Sequence, residues 1–243
     1  MSITPGKMGE LLKSYFLKEI YNEEVSKTSS IIITERITDF ISVVLLALIG
    51  VYVFDYGRSI VIVTGLFFLF TVILISSKKL SLKIIQFFSK IKIVEKFIPP
   101  ILNFYESSYN LLRPKPLIYA TLISLVAWFF ECLGFYIILN NFNESISLMW
   151  ATFVYTFSTI AGAITMLPAG LGVTEGSLTY LLVTNGLKES YAVASTILIR
   201  IATLWFAVLV GLIGLLLLKK STKKLILDFN LESLKNKNSI SPK

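Results

Sequence analysis

The sequence predicts an all-α fold: a polytopic transmembrane helix bundle with re-entrant or broken helices and an inverted repeat. Of the 243 residues, 55% are hydrophobic, and the mean hydropathy is +0.76. One soluble core of this size cannot bury so much apolar surface. Several apolar runs also reach the roughly 20 residues that a helix needs to cross a bilayer. Finally, motifs with proline and glycine interrupt the helical pattern at two distant places.

The charge and the rare residue types exclude several functional classes. A net charge of +8 would suggest a nucleic-acid partner in a soluble protein, but here the lysines collect between and after the apolar runs. In those places they set the membrane topology and contact lipid headgroups. The chain has no histidine and one cysteine, Cys132, which excludes an intrachain disulfide, a typical zinc site and a Ser-His-Asp triad. We therefore expect no nucleic-acid partner, no metal and no cofactor.

Five apolar runs are long enough to span a membrane. They cover residues 36–54, 59–76, 117–139, 148–167 and 192–218. A sixth run, residues 177–187, is too short to cross alone. It follows Leu167-Pro168-Ala169-Gly170-Leu171-Gly172, where proline and glycine oppose a continuous helix. We expect a broken or re-entrant helix here.

The basic segments predict the orientation in a cell membrane. The segment from Lys78 to Lys115 holds eight basic and two acidic residues, and the tail 219–243 is also basic. Both are expected to be cytoplasmic. We assign residues 1–218 to one integral membrane domain, with a cytoplasmic linker at 78–116. Apolar residues recur in this linker at near-helical spacing among lysines. This pattern fits either a helix in the headgroup layer or a helix that caps the bundle.

Two distant segments are similar to each other. Glu10 follows Pro5-Gly6-Lys7-Met8-Gly9 and precedes Arg36 by 26 residues, while Glu175 follows the second Pro-Gly motif and precedes Arg200 by 25. Because basic loops are expected to be cytoplasmic, the span with Arg36 is predicted to run outward from the cytoplasm and the span with Arg200 to run inward. Two similar segments that cross the membrane in opposite directions form an inverted repeat, which is typical of secondary transporters. In such transporters, interrupted helices hold a charged substrate near the middle of the membrane. Chance similarity between two short motifs is the alternative.

Ionisable residues lie inside the predicted spans, where each charge costs on the order of 2.5–3.5 kcal/mol on the insertion scale. Arg36 and Asp39 are three residues apart and can pair on one helix face, and Glu131 and Arg200 can pair between helices. Such pairs would be structural, whereas the set as a whole favours a polar path through the bundle. Four hydroxyl residues precede the second motif: Tyr155, Thr156, Ser158 and Thr159. They either line this path or bond to their own helix carbonyls, which is the more common outcome.

At these residues the sequence resembles the flippase-like membrane domain of the lysylphosphatidylglycerol synthase transmembrane family, including proteins of the UPF0104 type. The resemblance covers residues 5–218 approximately. It rests on four motifs: Pro5-Gly6-x-x-Gly9-Glu10-x-x-Lys13-x-Tyr15, Glu35-Arg36-x-x-Asp39, Leu167-Pro168-Ala169-Gly170-Leu171-Gly172-x-x-Glu175, and Arg200 in the last span.

The resemblance implies a bundle that moves a lipid headgroup across the membrane. Eight residues are candidates for headgroup contact or for the salt bridges that shape its cavity: Glu10, Lys13, Glu35, Arg36, Asp39, Glu131, Glu175 and Arg200. The broken-helix motifs contribute Pro5, Gly6, Gly9, Pro168, Gly170 and Gly172. The family usually has arginine where this chain has Lys13, which keeps the charge but loses the bidentate fork. It also usually has further spans before the first Pro-Gly motif, so we expect an N-terminally truncated chain.

The leading hypothesis is a transporter for an aminoacylated phospholipid or a polyprenyl-phosphate-linked sugar. Its expected partners are membrane lipids, anionic or polyprenyl-phosphate-linked, together with a separate synthase or glycosyltransferase. One alternative is a membrane-embedded enzyme with Glu131 or Glu175 as general base. It is less expected, because the chain has no histidine and no sugar-nucleotide domain. The other alternative is an accessory subunit that holds a lipid-modifying or glycosylating enzyme through the basic linker.

Overall fold

The computed structural model describes residues 10–54, 58–76, 105, 107–142 and 146–216, and their regular elements are all helical. The prediction of an all-α fold is confirmed for this part of the chain. A short helical segment at 107–111 precedes α4. The seven longer helices are α1 (Leu12–Tyr21), α2 (Val25–Phe54), α3 (Arg58–Ser76), α4 (Pro114–Asn140), α5 (Leu148–Ile164), α6 (Val173–Thr184) and α7 (Glu189–Leu216).

The helices overlap the predicted apolar runs, but their ends differ from the predicted ones. The largest difference is at α2, which begins eleven residues before the predicted span because polar residues extend the helix. Ser30 and Thr34 are buried there, and their hydroxyls donate to the helix carbonyls of Lys27 and Ser30, at 2.6 and 2.8 Å. Back-bonding of this kind lets small polar side chains continue a helix into a buried region.

Two of the described helices, α4 and α7, are long and apolar enough to cross a membrane, and α5 is a shorter apolar helix. In the most apolar part of α7 only 6% of the residues are buried inside the protein. Large apolar side chains such as Phe206, Leu209 and Leu212 are therefore exposed. Such a surface is unfavourable in water and suits a hydrocarbon environment.

The apolar core forms where α2, α4 and α5 pack together. Gly50 of α2 lies directly against Phe153 of α5, because a Cβ atom placed on Gly50 would be 2.3 Å from the Cβ of Phe153. Phe153 also contacts the rings of Trp150 and Phe157, with centroids 5.6 Å apart in each case. The close approach of Phe153 to Gly50 thus sets the distance between α2 and α5 at this point.

Contacts at the helix ends establish the relative directions of α2, α4 and α7. Ile37 packs on Leu112, just before α4, whereas Gly50 packs beside Phe153, which lies early in α5 and so near the end of α4. Therefore α2 and α4 run in the same direction. Phe142, directly after α4, stacks on Tyr191 in the first turn of α7, with ring centroids 5.1 Å apart. Since α7 starts where α4 ends, α7 runs opposite to both.

Several sequence-based predictions fall on other parts of the chain. Most of the amphipathic linker, the first Pro-Gly motif and the basic tail 219–243 lie outside the described residues. Of the linker, residues 105 and 107–113 are described, and residues 114–116 form the first turn of α4.

Candidate functional site

Arg36 of α2 lies among three acidic side chains. It donates to Glu35 at 2.7 Å, its Nη1 is 3.2 Å from Asp39 Oδ2, and its Nε is 3.3 Å from Glu10 Oε2. Asp39 also accepts a hydrogen bond of 2.7 Å from the hydroxyl of Ser124 in α4. The cluster therefore joins the start of α1, the middle of α2 and α4.

Among the described residues, the acidic groups of this cluster outnumber its guanidinium three to one. Glu35 is half exposed, whereas only 10% of the Glu10 side chain is accessible. Charged groups inside an apolar bundle need partners or water. Arg36 supplies one positive charge, so the described part of this cluster is acidic.

Arg200 of α7 forms a second centre at the broken helix. Its Nε donates to Glu175 Oε1 at 2.5 Å, and its Nη2 donates to the carbonyl of Ala169 at 2.8 Å. The other oxygen of Glu175 accepts the backbone N–H of Gly172 at 2.6 Å. One guanidinium thus holds the loop, and one carboxylate caps the first turn of α6, where a negative charge is favourable.

Glycine makes this loop possible. After α5 ends at Ile164, residues Pro168–Gly170 form a single 3₁₀ turn, and Gly170 and Gly172 have φ values of +64° and +85°. Gly162 and Gly170 also approach Thr174 so closely that a Cβ on either would lie 2.0 or 2.6 Å from its Oγ1. Glycine therefore favours this turn, because Gly170 and Gly172 adopt positive φ without strain and Gly162 leaves room for the loop against α5.

The helix geometry changes directly after Arg200. Ile201–Trp205 is a π-helical section inside α7, and the hydroxyl of Thr203 donates to the carbonyl of Ile199 at 2.8 Å. Single π-helical turns inside α-helices are frequent at functional sites. This irregular turn lies next to the second arginine.

Glu131 of α4 accepts a hydrogen bond of 2.7 Å from the hydroxyl of Tyr155 in α5. The Tyr155 ring is buried and contacts Phe135, with centroids 5.6 Å apart. Ser124 and Glu131 are seven residues apart, which places them on one face of α4 about 10 Å from each other. This face therefore carries polar groups from the Arg36 cluster towards the second half of the bundle.

The structure brings most of the sequence-predicted residues into these two centres and the Glu131–Tyr155 pair. The expected Arg36–Asp39 pair is formed. Between helices, Arg200 pairs with Glu175, so the structure uses a different carboxylate from the suggested Glu131. Lys13 is exposed on α1. Pro168, Gly170 and Gly172 form the broken loop, whereas Pro5, Gly6 and Gly9 lie outside the described residues.

The four hydroxyl residues before the loop differ in their contacts, and the hydroxyl of Ser158 is buried without a hydrogen-bond partner among the described residues. Thr156 and Thr159 bond to their own helix carbonyls at 2.7 and 2.8 Å, as such residues usually do, while Tyr155 reaches Glu131. Sequence reasoning missed Ser124 and the carbonyl of Ala169. Ser124 could have been found, because it lies seven residues before Glu131 and so on the same helix face. Nothing in the sequence distinguishes the carbonyl of Ala169 from other carbonyls.

The two arginine centres share the same order of helices and the same type of ion pair. In each, a short helix of 10 or 12 residues precedes a long helix, and an acidic residue at the start of the short helix pairs with an arginine in the long one. Arg36 lies eleven residues after Val25, and Arg200 lies eleven residues after Glu189. Both arginines are thus about 16 Å from the beginning of their long helix. The long helices, α2 and α7, run in opposite directions.

An open groove of about 560 Å³ runs along α6 beside the second centre. Its lining includes Glu175, Thr179 and Tyr180, and it reaches Glu189 at the start of α7. Glu175 therefore lies between Arg200 on one side and an accessible groove on the other.

Comparison with known proteins shows similarity to membrane proteins over most of the chain. The family described as lysylphosphatidylglycerol synthase TM region matches residues 1–211. A UPF0104 membrane protein of Methanocaldococcus jannaschii is 29% identical over 92% of this chain and 95% of its own length. UPF0104 membrane proteins of Pyrococcus horikoshii and Methanothermobacter thermautotrophicus are 26% and 24% identical, over 90% and 93% of this chain and 72% and 74% of theirs. No solved structure matches the chain.

Proposed function

The chain belongs to the lysylphosphatidylglycerol synthase TM region family and is a membrane protein, and from this premise we propose that it moves a polar lipid headgroup across the bilayer. The proposed substrate is an aminoacylated phospholipid or a polyprenyl-phosphate-linked sugar. Its apolar chains stay in the hydrocarbon during transport. Only the headgroup then needs a polar path, because only the headgroup is costly to place in lipid.

The observation that carries the proposal is the repeated Glu–Arg arrangement on oppositely directed helices. Glu10 and Arg36 link α1 to α2, and Glu175 and Arg200 link the broken loop and α6 to α7. This relationship supports an inverted repeat, with the loop and α6 as a re-entrant element. In transporters of that type, substrate sites lie between the repeats, at interrupted helices near the midplane.

The Glu131–Tyr155 pair supports a continuous path between the two centres. Glu131 lies on the same face of α4 as Ser124, which bonds to the Arg36 cluster through Asp39. A headgroup that leaves Arg36 therefore meets further hydrogen-bonding groups about two helical turns away. The headgroup thus moves in short steps between polar groups and does not have to cross the whole apolar layer in one step.

The test is movement of a headgroup-labelled lipid in vesicles that contain the purified protein. Arg36→Ala and Arg200→Ala should each reduce the rate at least about tenfold, because each removes the cation of one centre. Arg36→Lys and Arg200→Lys keep the charge and lose the planar fork, so an intermediate rate is expected. Lys27→Ala is the matched control, since Lys27 pairs with Glu24 on the surface at 3.6 Å. Unchanged movement in both alanine variants, with normal membrane insertion, would end this assignment.

A further inference from the structure

Two polar contacts link α6 to α7 in the described part of the chain. Glu175 pairs with Arg200 at 2.5 Å, and the hydroxyl oxygens of Thr179 and Thr196 are 3.3 Å apart. The partners are four residues apart on each helix, so both contacts lie on one face of α6 and on one face of α7. We call these four residues the α6–α7 seam.

The seam borders the open groove that runs along α6. Glu175 and Thr179 line this groove together with Tyr180, and it reaches Glu189 at the start of α7. Both seam residues of α6 are partly exposed, whereas Thr196 on α7 is only 3% exposed. A polar group that enters the groove therefore meets the α6 side of the seam first.

The contact of α6 with α5 is of another kind. Thr174 lies so close to Gly162 that a Cβ on this glycine would be 2.0 Å from the threonine Oγ1. Leu178 and Leu182 of α6 are completely buried in the apolar core that includes α5. Separation at such a contact opens a void, whereas separation at the seam exposes polar groups that a polar ligand can satisfy. The seam is therefore the side of α6 that a headgroup can open.

Arg200 also holds the loop before α6 in an unfavourable backbone conformation. Ala169 has a φ of +55°, in a region that residues with a Cβ atom rarely adopt. Its carbonyl accepts the hydrogen bond of 2.8 Å from Arg200 Nη2. Because such a conformation persists only when its surroundings hold it, the loop can relax once Arg200 releases this carbonyl.

Both charges of the seam can keep partners when it opens. The second carboxylate oxygen of Glu175 accepts the backbone N–H of Gly172 at 2.6 Å, in the first turn of α6, where a negative charge is favourable. Arg200 and Thr196 remain on α7, and together they offer a cation and a hydroxyl to the polar atoms of a headgroup.

We propose that the α6–α7 seam is a gate, which opens when a lipid headgroup enters from the groove and takes the place of Glu175 and Thr179 at Arg200 and Thr196. The moving element is α6 with the loop before it, and its contact with α5 is the pivot. The inference rests on the proposed function and adds the route by which the headgroup reaches Arg200.

The first test locks the gate with a disulfide. The variant Thr179→Cys/Thr196→Cys is made in a Cys132→Ser background, which removes the one native thiol. The two hydroxyls it replaces are 3.3 Å apart, close enough for a disulfide between the new cysteines. Oxidation should slow the movement of a headgroup-labelled lipid in vesicles at least about tenfold, and reduction should restore it. Equal rates before and after oxidation would overturn the inference.

The matched control is Phe142→Cys/Tyr191→Cys in the same background. These rings stack with centroids 5.1 Å apart, so a disulfide there joins the start of α7 to the segment after α4 and leaves α6 free. Oxidation of this pair should not change the rate. The same loss of rate in both pairs would contradict a gate at α6.

The second test measures opening without transport. Thr196→Cys, again in the Cys132→Ser background, should react slowly with a water-soluble methanethiosulfonate reagent, because this position is buried. Addition of Glu175→Gln weakens the seam by one charge and should speed this labelling at least about fivefold. Ser42→Cys, at a completely buried position in α2, is the control and should label slowly with and without Glu175→Gln. No acceleration at position 196, or equal acceleration at position 42, would exclude the gate.

The two tests separate this inference from the proposed function. A chain that moves no lipid but shows the expected labelling would contradict the proposed function alone. Transport that the disulfide does not slow, with labelling that Glu175→Gln does not change, would contradict the gate alone.

Discussion

Glu175 in the first turn of α6 and Arg200 in α7 are joined by an ion pair across 25 residues of sequence, with Nε and Oε1 2.5 Å apart. Each partner has a second contact with the broken loop. Arg200 binds the carbonyl of Ala169, and Glu175 binds the N–H of Gly172. The pair therefore sets the position of the loop relative to the long helix, as well as neutralising two charges.

Replacing one partner of this pair should destabilise the protein through the charge left behind. Glu175→Gln and Arg200→Gln are each expected to cost about 1–3 kcal/mol, because both side chains are largely covered. The double variant should cost less than the sum, since it leaves neither charge alone. Denaturant unfolding in detergent micelles measures the free energies. Glu24→Gln, in an exposed pair, should change stability very little. Strict additivity would contradict a direct coupling.

The contact between Gly50 and Phe153 predicts a packing defect. Gly50→Ala places a Cβ 2.3 Å from the Cβ of Phe153, which is fixed to the backbone, so rotation of the ring cannot relieve the overlap. α2 and α5 must separate, at an expected cost of about 1–3 kcal/mol.

Gly214→Ala in α7 is the matched control, because nothing lies within 4 Å of the new Cβ. Its effect should be neutral or slightly stabilising, since alanine favours a helix more than glycine does. Thermal unfolding of the two variants compares them directly. Equal melting temperatures would mean that α2 and α5 do not approach each other as closely as this structure shows.

The hydrogen bond from Tyr155 to Glu131 predicts a third effect. Tyr155→Phe removes the donor and leaves the ring in place, so it should cost about 1–2 kcal/mol of stability. Tyr180→Phe removes a hydroxyl from a more exposed ring and should cost almost nothing. In a Glu131→Gln background, the effect of Tyr155→Phe should shrink, because an amide is a weaker acceptor than a carboxylate. The same loss in both backgrounds would rule out this pairing.

The sequence predicted where the helices lie better than where they end. The run at 148–167 became α5, but its last three residues belong to the loop, since Met166 has a φ of +52° and Pro168 opens a 3₁₀ turn. The predicted span at 36–54 lacked the first eleven residues of α2. Serine and threonine are common in loops, and whether they extend a helix depends on the cover that a neighbouring helix such as α1 provides.

Ionic contacts within one helix were predictable, and contacts between helices were not. Arg36 and Asp39 are three residues apart, so helical periodicity alone brings them together. Arg200 had two carboxylates to choose from, Glu131 and Glu175, and the turn after α5 brings Glu175 to it. Ser14, Tyr105 and Ser108 carried no motif, because what they share is burial, which depends on how the segments pack.

Composition, apolar run length and helical periodicity were enough to identify an all-α membrane protein, the position of its broken helix and the ionisable residues inside it. These properties are local, since every backbone group in hydrocarbon must be satisfied within its own helix. Only the tertiary structure decided that Glu10 reaches Arg36, that Ser124 reaches Asp39 and that Tyr155 reaches Glu131. Those contacts depend on the alignment and spacing of neighbouring helices, which close packing such as that of Gly50 on Phe153 determines.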